Sequence, residues 1–300
     1  MPLTNPFVVK AHIALVILLL SFLVFPQIQG LYPPGFTGYT LADMPKTLLP
    51  YLLFLPNIVL YTFGIAMFAS HTWSIGTEEQ FYIIWPLLFR RFKNKLALMI
   101  SIILFYLVMK HVFANMPAGK FAELIVFYWS EFPIDNMAIG GIFALIIYSK
   151  AAPFIKAKKF IFNRYVQIAT YLTVVCSIVF RLTLPDIIFE YYCVLFGIII
   201  ANLAANERSI FSMETASLKY LGKISYGLYI YHPLMIAATM WLFRELGWTS
   251  NLLFYPLSLG ATILISGLSY RYFESAFIKK KKEFSVVVSG DNSAEGKKDS

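Results

Sequence analysis

The sequence predicts an all-α polytopic membrane protein with about eight transmembrane helices and one re-entrant or kinked element. Apolar residues make up 59% of its 300 residues and charged residues only 14%, whereas a soluble protein carries about 25% charged residues. Apolar stretches long enough to cross a membrane recur along the whole chain, and the basic residues gather in alternate loops between them. These few charged residues could not cover the surface of a water-soluble globule of this length. A soluble domain is therefore excluded.

Nine apolar segments alternate with loops that are rich in proline, glycine or charge. A helix needs about 20 apolar residues to cross the hydrocarbon core, and these segments approach or reach that length. In chain order they cover residues 8–28, 47–69, 77–92, 96–113, 133–149, 165–182, 187–205, 224–243 and 251–272.

The first two segments differ in kind. Segment 8–28 is an unbroken apolar run without a small-residue cleavage site, so we expect a span and not a cleaved signal peptide. Segment 47–69 contains Pro50 and Pro56, and proline breaks hydrogen bonds inside a helix. Because segment 8–28 must end outside and segment 77–92 must begin outside, we expect 47–69 to enter and leave on one side as a re-entrant or kinked element beside a cavity.

The seven later segments are predicted to be single spans, since charges or turn residues bound them. Segment 77–92 ends at Arg90 and Arg91, Pro185 precedes segment 187–205, and Gly247 separates the last two segments. Charged and turn-forming residues of this kind favour loops at the membrane surface over continued helix in the hydrocarbon core.

The basic residues predict the orientation of the chain. One set of loops holds 17 of the 25 lysines and arginines, and the opposite set holds 5. The positive-inside rule therefore places the N-terminus, the 150–164 loop and the C-terminal tail in the cytoplasm. We expect a multi-pass protein of the inner or plasma membrane that binds the lipid bilayer and no nucleic acid. Residues 284–300 are polar and rich in glycine and serine, which predicts a disordered cytoplasmic tail after a membrane domain over 1–283.

Two adjacent carboxylates, Glu78 and Glu79, open the third segment in the stretch HTWSIGTEEQFYIIWPLL. One interpretation is ordinary helix-start chemistry, with Ser74 or Thr77 as the cap and the acids near the positive end of the helix dipole. The other is that one glutamate faces a cavity with Tyr82, which lies four residues after Glu78 on the same helix face. Spacing alone favours neither.

A histidine stands inside an apolar span in the stretch LGKISYGLYIYHPLM at 221–235. Tyr229 shares the helix face of His232, and Tyr226 lies farther round. A lone buried histidine is often a core residue with satisfied hydrogen bonds. Pro233 would free a backbone carbonyl and kink the helix beside His232, which favours a lined pocket. The two interpretations stay open.

Four further ionisable residues have ordinary interpretations. Asp135, in FPIDNMAIGGIFA, begins the fifth segment and could cap it. Arg271 and Glu274, in SYRYFESAF, are three residues apart, which predicts a local ion pair. Glu190 borders a short outer loop and carries little functional signal.

These stretches together resemble the membrane-bound acyltransferase 3 family, whose members O-acylate surface polysaccharides, lipopolysaccharide, peptidoglycan and antibiotics. HTWSIGTEEQFYIIWPLL is similar to the family pattern Trp-Ser-x-x-x-Glu-x-x-Phe-Tyr, which puts the family's glutamate at Glu78. LGKISYGLYIYHPLM resembles Ile-Ser-Tyr-x-x-Tyr-x-x-His, SYRYFESAF resembles Ser-Tyr-x-x-x-Glu, and FPIDNMAIGGIFA resembles Asp-x-x-x-x-Gly. The order and spacing of the four motifs cover residues 70–277.

One part of the family pattern does not match. Family members begin with a span in which an Arg or Lys precedes the catalytic His by eleven residues, followed by a double-Arg loop for acyl-CoA. Here Ser21 stands eleven residues after Lys10, and Met1 stands eleven before His12. The chain thus resembles a family domain that is truncated at its N-terminus, and His71 and His232 are the histidines placed to substitute.

The resemblance implies a membrane O-acyltransferase that moves an acyl group, expected to be acetyl, from acyl-CoA to a hydroxyl of a cell-surface glycan or glycolipid. Acyl-CoA is a co-substrate, and neither a bound cofactor nor a metal is implied. The alternatives are an inactive family fragment and a transporter or flippase of glycan intermediates, which would show half-helices in both halves. The resemblance implies catalytic roles for Glu78 and His232 and substrate-binding roles for Trp73, Ser74, Tyr82, Asp135, Tyr226, Tyr229, Arg271 and Glu274.

Overall fold

The computed structural model describes residues 44–53, 55–56, 59 and 70–275. The predicted span 8–28, most of the predicted element 47–69 and the predicted tail 284–300 lie outside these residues. Within the described residues the regular structure is entirely helical, without a strand. The predicted all-α class is confirmed.

The helices follow the predicted segments closely and are numbered here in chain order. A 3₁₀ turn at Ser70–Thr72 precedes α2, and a π-helical turn at Tyr270–Glu274 continues α11. The α-helices are α1 (Met44–Leu52), α2 (Trp73–Arg91), α3 (Lys95–Ala114), α4 (Lys120–Ser130), α5 (Ile134–Tyr148), α6 (Ala152–Ile161), α7 (Arg164–Val179), α8 (Ile188–Ala205), α9 (Ala216–Lys223), α10 (Ser225–Glu245) and α11 (Asn251–Ser269).

Several of these helices have the dimensions and composition of membrane spans. Within the described part of the chain, four stretches are long and apolar enough to cross a bilayer, namely Lys95–Ala114, Lys120–Tyr148, Ile188–Ala205 and Asn251–Glu274. Large apolar side chains such as Leu172, Leu252 and Leu264 are exposed on the helices, while Thr262 and Ser266 are buried. An apolar exterior around small polar interior residues is typical of a membrane-integral protein, as predicted.

The structure also contains elements that the sequence analysis did not predict. Helices α4, α6 and α9 are short and fall in predicted loops. Together α4 and α5 form one apolar stretch of 29 residues that is interrupted between Ser130 and Ile134. Pro133 has no N–H to donate to a continuing helix. The sequence predicted a broken element at 47–69, most of which lies outside the described residues, and did not predict this interruption.

The chain divides into two compact units. One contains the described residues up to Thr72 and from Lys219 onward, and the other is Trp73–Leu218. In the first unit α10 packs on α11 at a close approach, where a Cβ at Gly227 would lie 3.0 Å from Cβ of Ser266. In the second unit α5 packs against both α3 and α8. Each unit carries its own set of candidate functional residues.

Candidate functional site

A cluster of three rings lies in the first unit, between the 3₁₀ turn and α10. The ring centroids of His71 and His232 are 5.2 Å apart. Tyr229 completes the cluster, with its ring centroid 5.1 Å from that of His71 and 6.0 Å from that of His232. The fold therefore joins the two histidines that the sequence analysis named as possible substitutes for a missing base. Tyr226, also on α10, is partly buried.

Pro233 explains how the His232 ring is held. A proline inside a helix cannot donate to the carbonyl four residues earlier, and here that carbonyl belongs to Tyr229. His232 Nδ1 lies 2.7 Å from this same oxygen. Because a carbonyl oxygen can only accept, Nδ1 carries the proton. A neutral His232 therefore presents an unprotonated Nε2, which is the form that a general base requires.

Tyr229 and His232 both affect His71 in this cluster. The Tyr229 hydroxyl donates a hydrogen bond to the backbone carbonyl of His71. Burial, and then the proximity of His232, lower the pKa of His71 from 6.5 to about 4, against a smaller opposing effect of the Ile230 backbone. His71 is consequently neutral at physiological pH, and positive charge on His232 is not opposed by a charged neighbour.

The predicted ion pair between Arg271 and Glu274 is wrong. The Arg271 guanidinium lies over the Tyr272 ring, 5.5 Å from its centroid. Glu274 is 6% exposed and accepts a hydrogen bond of 3.2 Å from the Ser269 hydroxyl. Arg271 and Glu274 both lie in the π-helical turn. The wider π turn does not bring residues three apart onto one face as an α-helix does.

The start of α2 differs from the predicted capping arrangement. The helix begins at Trp73 and has no acidic residue in its first turn, so Glu78 and Glu79 do not stabilise its N-terminus. Thr77 is buried and does not cap α2, since its hydroxyl donates 2.9 Å to the carbonyl of Glu131 at the end of α4. Trp73 and the adjacent Ser74 are partly buried.

The two adjacent glutamates have opposite environments. Glu79 is only 6% exposed, whereas Glu78 is exposed. Tyr82 is also exposed, to 57%. Glu78 and Tyr82 therefore lie on one helix face, as predicted, but this face is exposed and does not line a cavity among the described residues. On the neighbouring face Trp85 packs between Phe81 and Phe89 with tilted rings, at centroid distances of 4.6 Å and 4.7 Å.

Asp135 belongs to a polar network in the second unit that also contains Glu190 and Lys110. It is 0% exposed and lies in the first turn of α5. The carboxyl group of Glu190 on α8 lies against it. Lys110 on α3 forms an ion pair of 3.0 Å with Glu190 and also donates to the Asp186 carbonyl.

The protonation of the two carboxyl groups decides whether they can form a hydrogen bond with each other. Two ionised carboxylates can only accept hydrogen bonds, so Asp135 and Glu190 can bond to each other only when one of them holds a proton. Lys110 supplies a positive charge beside Glu190. Asp135 is not the N-cap residue of α5, which is Pro133, and Glu190 links its carboxyl group to Lys110 on α3.

Glu190 and Lys110 are the residues that sequence reasoning missed. Each lies in an apolar helix, and an ionisable group at membrane depth is costly and usually functional or paired. That general signal was present for both residues, but nothing in the sequence indicated that they pair across 80 positions. Within the described residues, no group of three or more His, Cys, Asp or Glu side chains is arranged to hold a metal ion.

The fold and its polar clusters thus define a helical membrane protein with an oriented imidazole and a buried carboxyl pair. The model of the acyltransferase 3 family, described as an acyltransferase domain, matches residues 7–271. This match covers most of the chain, and the protein belongs to that family. The family assignment made from the four motifs is therefore confirmed.

One curated relative is similar over most of this chain. The peptidoglycan O-acetyltransferase OatA of Listeria monocytogenes serovar 1/2a (strain ATCC BAA-679 / EGD-e) is 25% identical over an alignment of 235 residues, and the match covers 73% of this chain and 36% of the relative. The chain thus spans about a third of the length of the relative that it matches. No solved structure matches the chain.

Proposed function

We propose that this protein is a membrane O-acyltransferase that moves an acetyl group from acetyl-CoA to a hydroxyl of a cell-surface glycan. The observation that carries the proposal is the His232 ring, whose Nδ1 proton is donated to the carbonyl freed by Pro233. This leaves Nε2 as the proton acceptor that hydroxyl activation needs. Membership of the acyltransferase 3 family favours acyl transfer over the transport alternative.

The proposed reaction assigns each proton and bond. His232 Nε2 takes the proton of the acceptor hydroxyl as its oxygen attacks the thioester carbonyl. The tetrahedral oxyanion then collapses, the carbon–sulfur bond breaks, and the imidazolium returns its proton to the departing CoA thiolate. His71, held neutral beside it, fixes the ring without repelling the transient charge. The products are the acetylated glycan and free CoA.

The remaining roles rest on the motifs. Glu78 is proposed as the second catalytic residue because it occupies the position of the family's glutamate. Acceptor peptidoglycan is the first glycan to test, because the relative is named for it. The residues proposed to bind donor or acceptor are Trp73, Ser74, Tyr82, Asp135, Tyr226, Tyr229, Arg271 and Glu274.

The test is transfer of radiolabelled acetyl from acetyl-CoA to cell-wall glycan in membranes that contain this chain. We expect Glu78→Gln and His232→Ala each to lower turnover by about 10²- to 10⁴-fold, the usual contribution of positioned acid–base groups. Glu207→Gln and His111→Ala change the same residue types at exposed positions and should retain wild-type turnover. Folded chain that gives no transfer above empty membranes would support the inactive-fragment alternative, and full activity in both site variants would overturn the mechanism.

A further inference from the structure

A cavity in the second unit is lined by two arginines that the proposed reaction does not use. It has a volume of about 550 Å³ and is lined by Phe162, Arg164, Arg208, Ser209 and Ile210. Its walls come from the start of α7 and from the segment that follows α8. The charge distribution of the sequence assigns both segments to the cytoplasmic side.

The positive charge of this cavity is not neutralised by neighbouring side chains. Neither Arg164 nor Arg208 forms a side-chain ion pair within residues 70–275, although the exposed Glu207 adjoins Arg208 in sequence. Arg164 is also the first residue of α7, a helix of 16 residues. The N-terminal end of a helix carries partial positive charge, so a cation there is disfavoured unless an anion is bound.

The side-chain amides of buried Gln167 and partly buried Asn206 hold the two arginine-bearing segments in place. Gln167 is 1% exposed, donates 3.1 Å to the Phe162 carbonyl and accepts 3.0 Å from the Ile210 backbone N–H. Asn206 donates 3.3 Å to the same Phe162 carbonyl and accepts 3.0 Å from the Arg208 backbone N–H. These bonds join the two walls of the cavity directly. The site is therefore formed before any ligand arrives, which reduces the entropy lost on binding.

A further donor is available inside the cavity. The hydroxyl oxygen of Ser209 is buried and makes no hydrogen bond with any described residue. A buried hydroxyl without a partner is costly, and a bound ligand would supply one. Two guanidinium groups and one hydroxyl donor match the oxygen atoms of a phosphate group, which arginine recognises with paired hydrogen bonds.

We propose that this cavity binds a phosphate group from the cytoplasmic side, with Arg164, Arg208 and Ser209 as its ligands. Two sources of that phosphate are available to a membrane protein. One is coenzyme A, whose phosphates would anchor the acyl donor, and this source rests on the proposed function. The other is the headgroup of an anionic phospholipid.

Binding measurements on the full chain in phosphatidylcholine nanodiscs test the proposal. The variant Arg164→Gln/Arg208→Gln is compared with Arg90→Gln/Arg91→Gln. The control removes the same charge from arginines that are equally exposed but lie at the end of α2 and do not line the cavity. Coenzyme A is titrated directly, with phosphate-free pantetheine as a competitor. A second arm measures phosphatidylglycerol retained after exchange from mixed nanodiscs. The single exchanges Arg164→Gln and Arg208→Gln, each against Arg91→Gln, repeat the comparison if the double variant does not fold.

Each outcome bears on the proposal. A Kd for coenzyme A raised about tenfold or more only in the cavity variant, without competition by pantetheine, identifies the donor phosphates. Loss of retained phosphatidylglycerol only in the cavity variant, with coenzyme A binding unchanged, supports the site and identifies the lipid headgroup. Equal binding of both ligands by the cavity and control variants overturns it. These measurements do not depend on turnover. If the cavity binds coenzyme A but the acetyl-transfer assay described above detects no product, the result counts against the proposed function and not against the phosphate site.

Discussion

At the residue scale, the orientation of His232 depends on the ring of its neighbour Pro233. Pro233→Ala restores a backbone N–H that can donate to the Tyr229 carbonyl and compete with His232 Nδ1 for it. We expect acetyl transfer to fall about 10- to 100-fold, the cost of a misplaced catalytic group. Helix stability should stay equal or rise, because the regular hydrogen bond returns. Turnover and the midpoint temperature of unfolding, measured on the same preparation, check both expectations.

Pro256 supplies the matched control for that substitution. It lies inside α11 and is exposed, so Pro256→Ala restores a helix bond without changing the histidine cluster. Unchanged turnover in Pro233→Ala would show that the freed carbonyl does not orient the base.

His71 should make the stability of the protein depend on pH. In the unfolded chain its imidazole titrates near 6.5, whereas in the folded protein the pKa is about 4. Between these values the unfolded state binds more protons, so the stabilising contribution is complete above pH 6.5 and is lost as the pH falls toward 4. We expect His71→Asn to reduce the fall in midpoint temperature over this range. His111→Asn, at an exposed histidine, should leave that fall unchanged, and an equal slope in wild type and His71→Asn would contradict the assignment.

At the element scale, the network of Lys110, Glu190 and Asp135 connects α3, α8 and α5. Lys110→Met leaves two buried carboxyl groups without a cation, which strongly destabilises a folded protein. Glu190→Gln removes the negative partner, so the double variant should recover part of the loss. We expect a coupling free energy on the order of 1–3 kcal/mol in a double-mutant cycle of thermal unfolding. Additive losses would mean that the ion pair does not stabilise the packing of these helices.

Most of the long helices could be predicted from the sequence, but the short helices could not. The bounds of α3, α5, α7, α8 and α11 were predictable within a few residues because long apolar runs end at charges and turn residues. The short helices α4, α6 and α9 were not, since each mixes apolar and polar residues over too few turns to differ from a loop. The meeting of His71 with His232 was also not predictable, because contacts between distant positions depend on packing and not on spacing.

At the scale of the whole molecule, the charge distribution predicts sidedness that labelling can measure. In a chain without Cys176 and Cys193, Lys120→Cys should react with a membrane-impermeant maleimide in intact cells. Lys156→Cys should react only after permeabilisation, because the positive-inside rule places its loop in the cytoplasm. Both positions are exposed, so a difference in labelling reports the side of the membrane and not burial. Labelling of Lys156→Cys in intact cells would reverse the assigned orientation.

The interruption between α4 and α5 has a consequence for the membranes in which this protein can reside. A continuous helix over the 29 residues of Lys120–Tyr148 would be about 43 Å long at 1.5 Å per residue, against a hydrocarbon thickness of about 30 Å. A rigid rod of that length would have to tilt steeply or thicken the bilayer around it. The joint at 131–133 allows the two halves to take different inclinations. We therefore expect a change in bilayer thickness to change the angle at this joint, so that the protein tolerates hydrophobic mismatch.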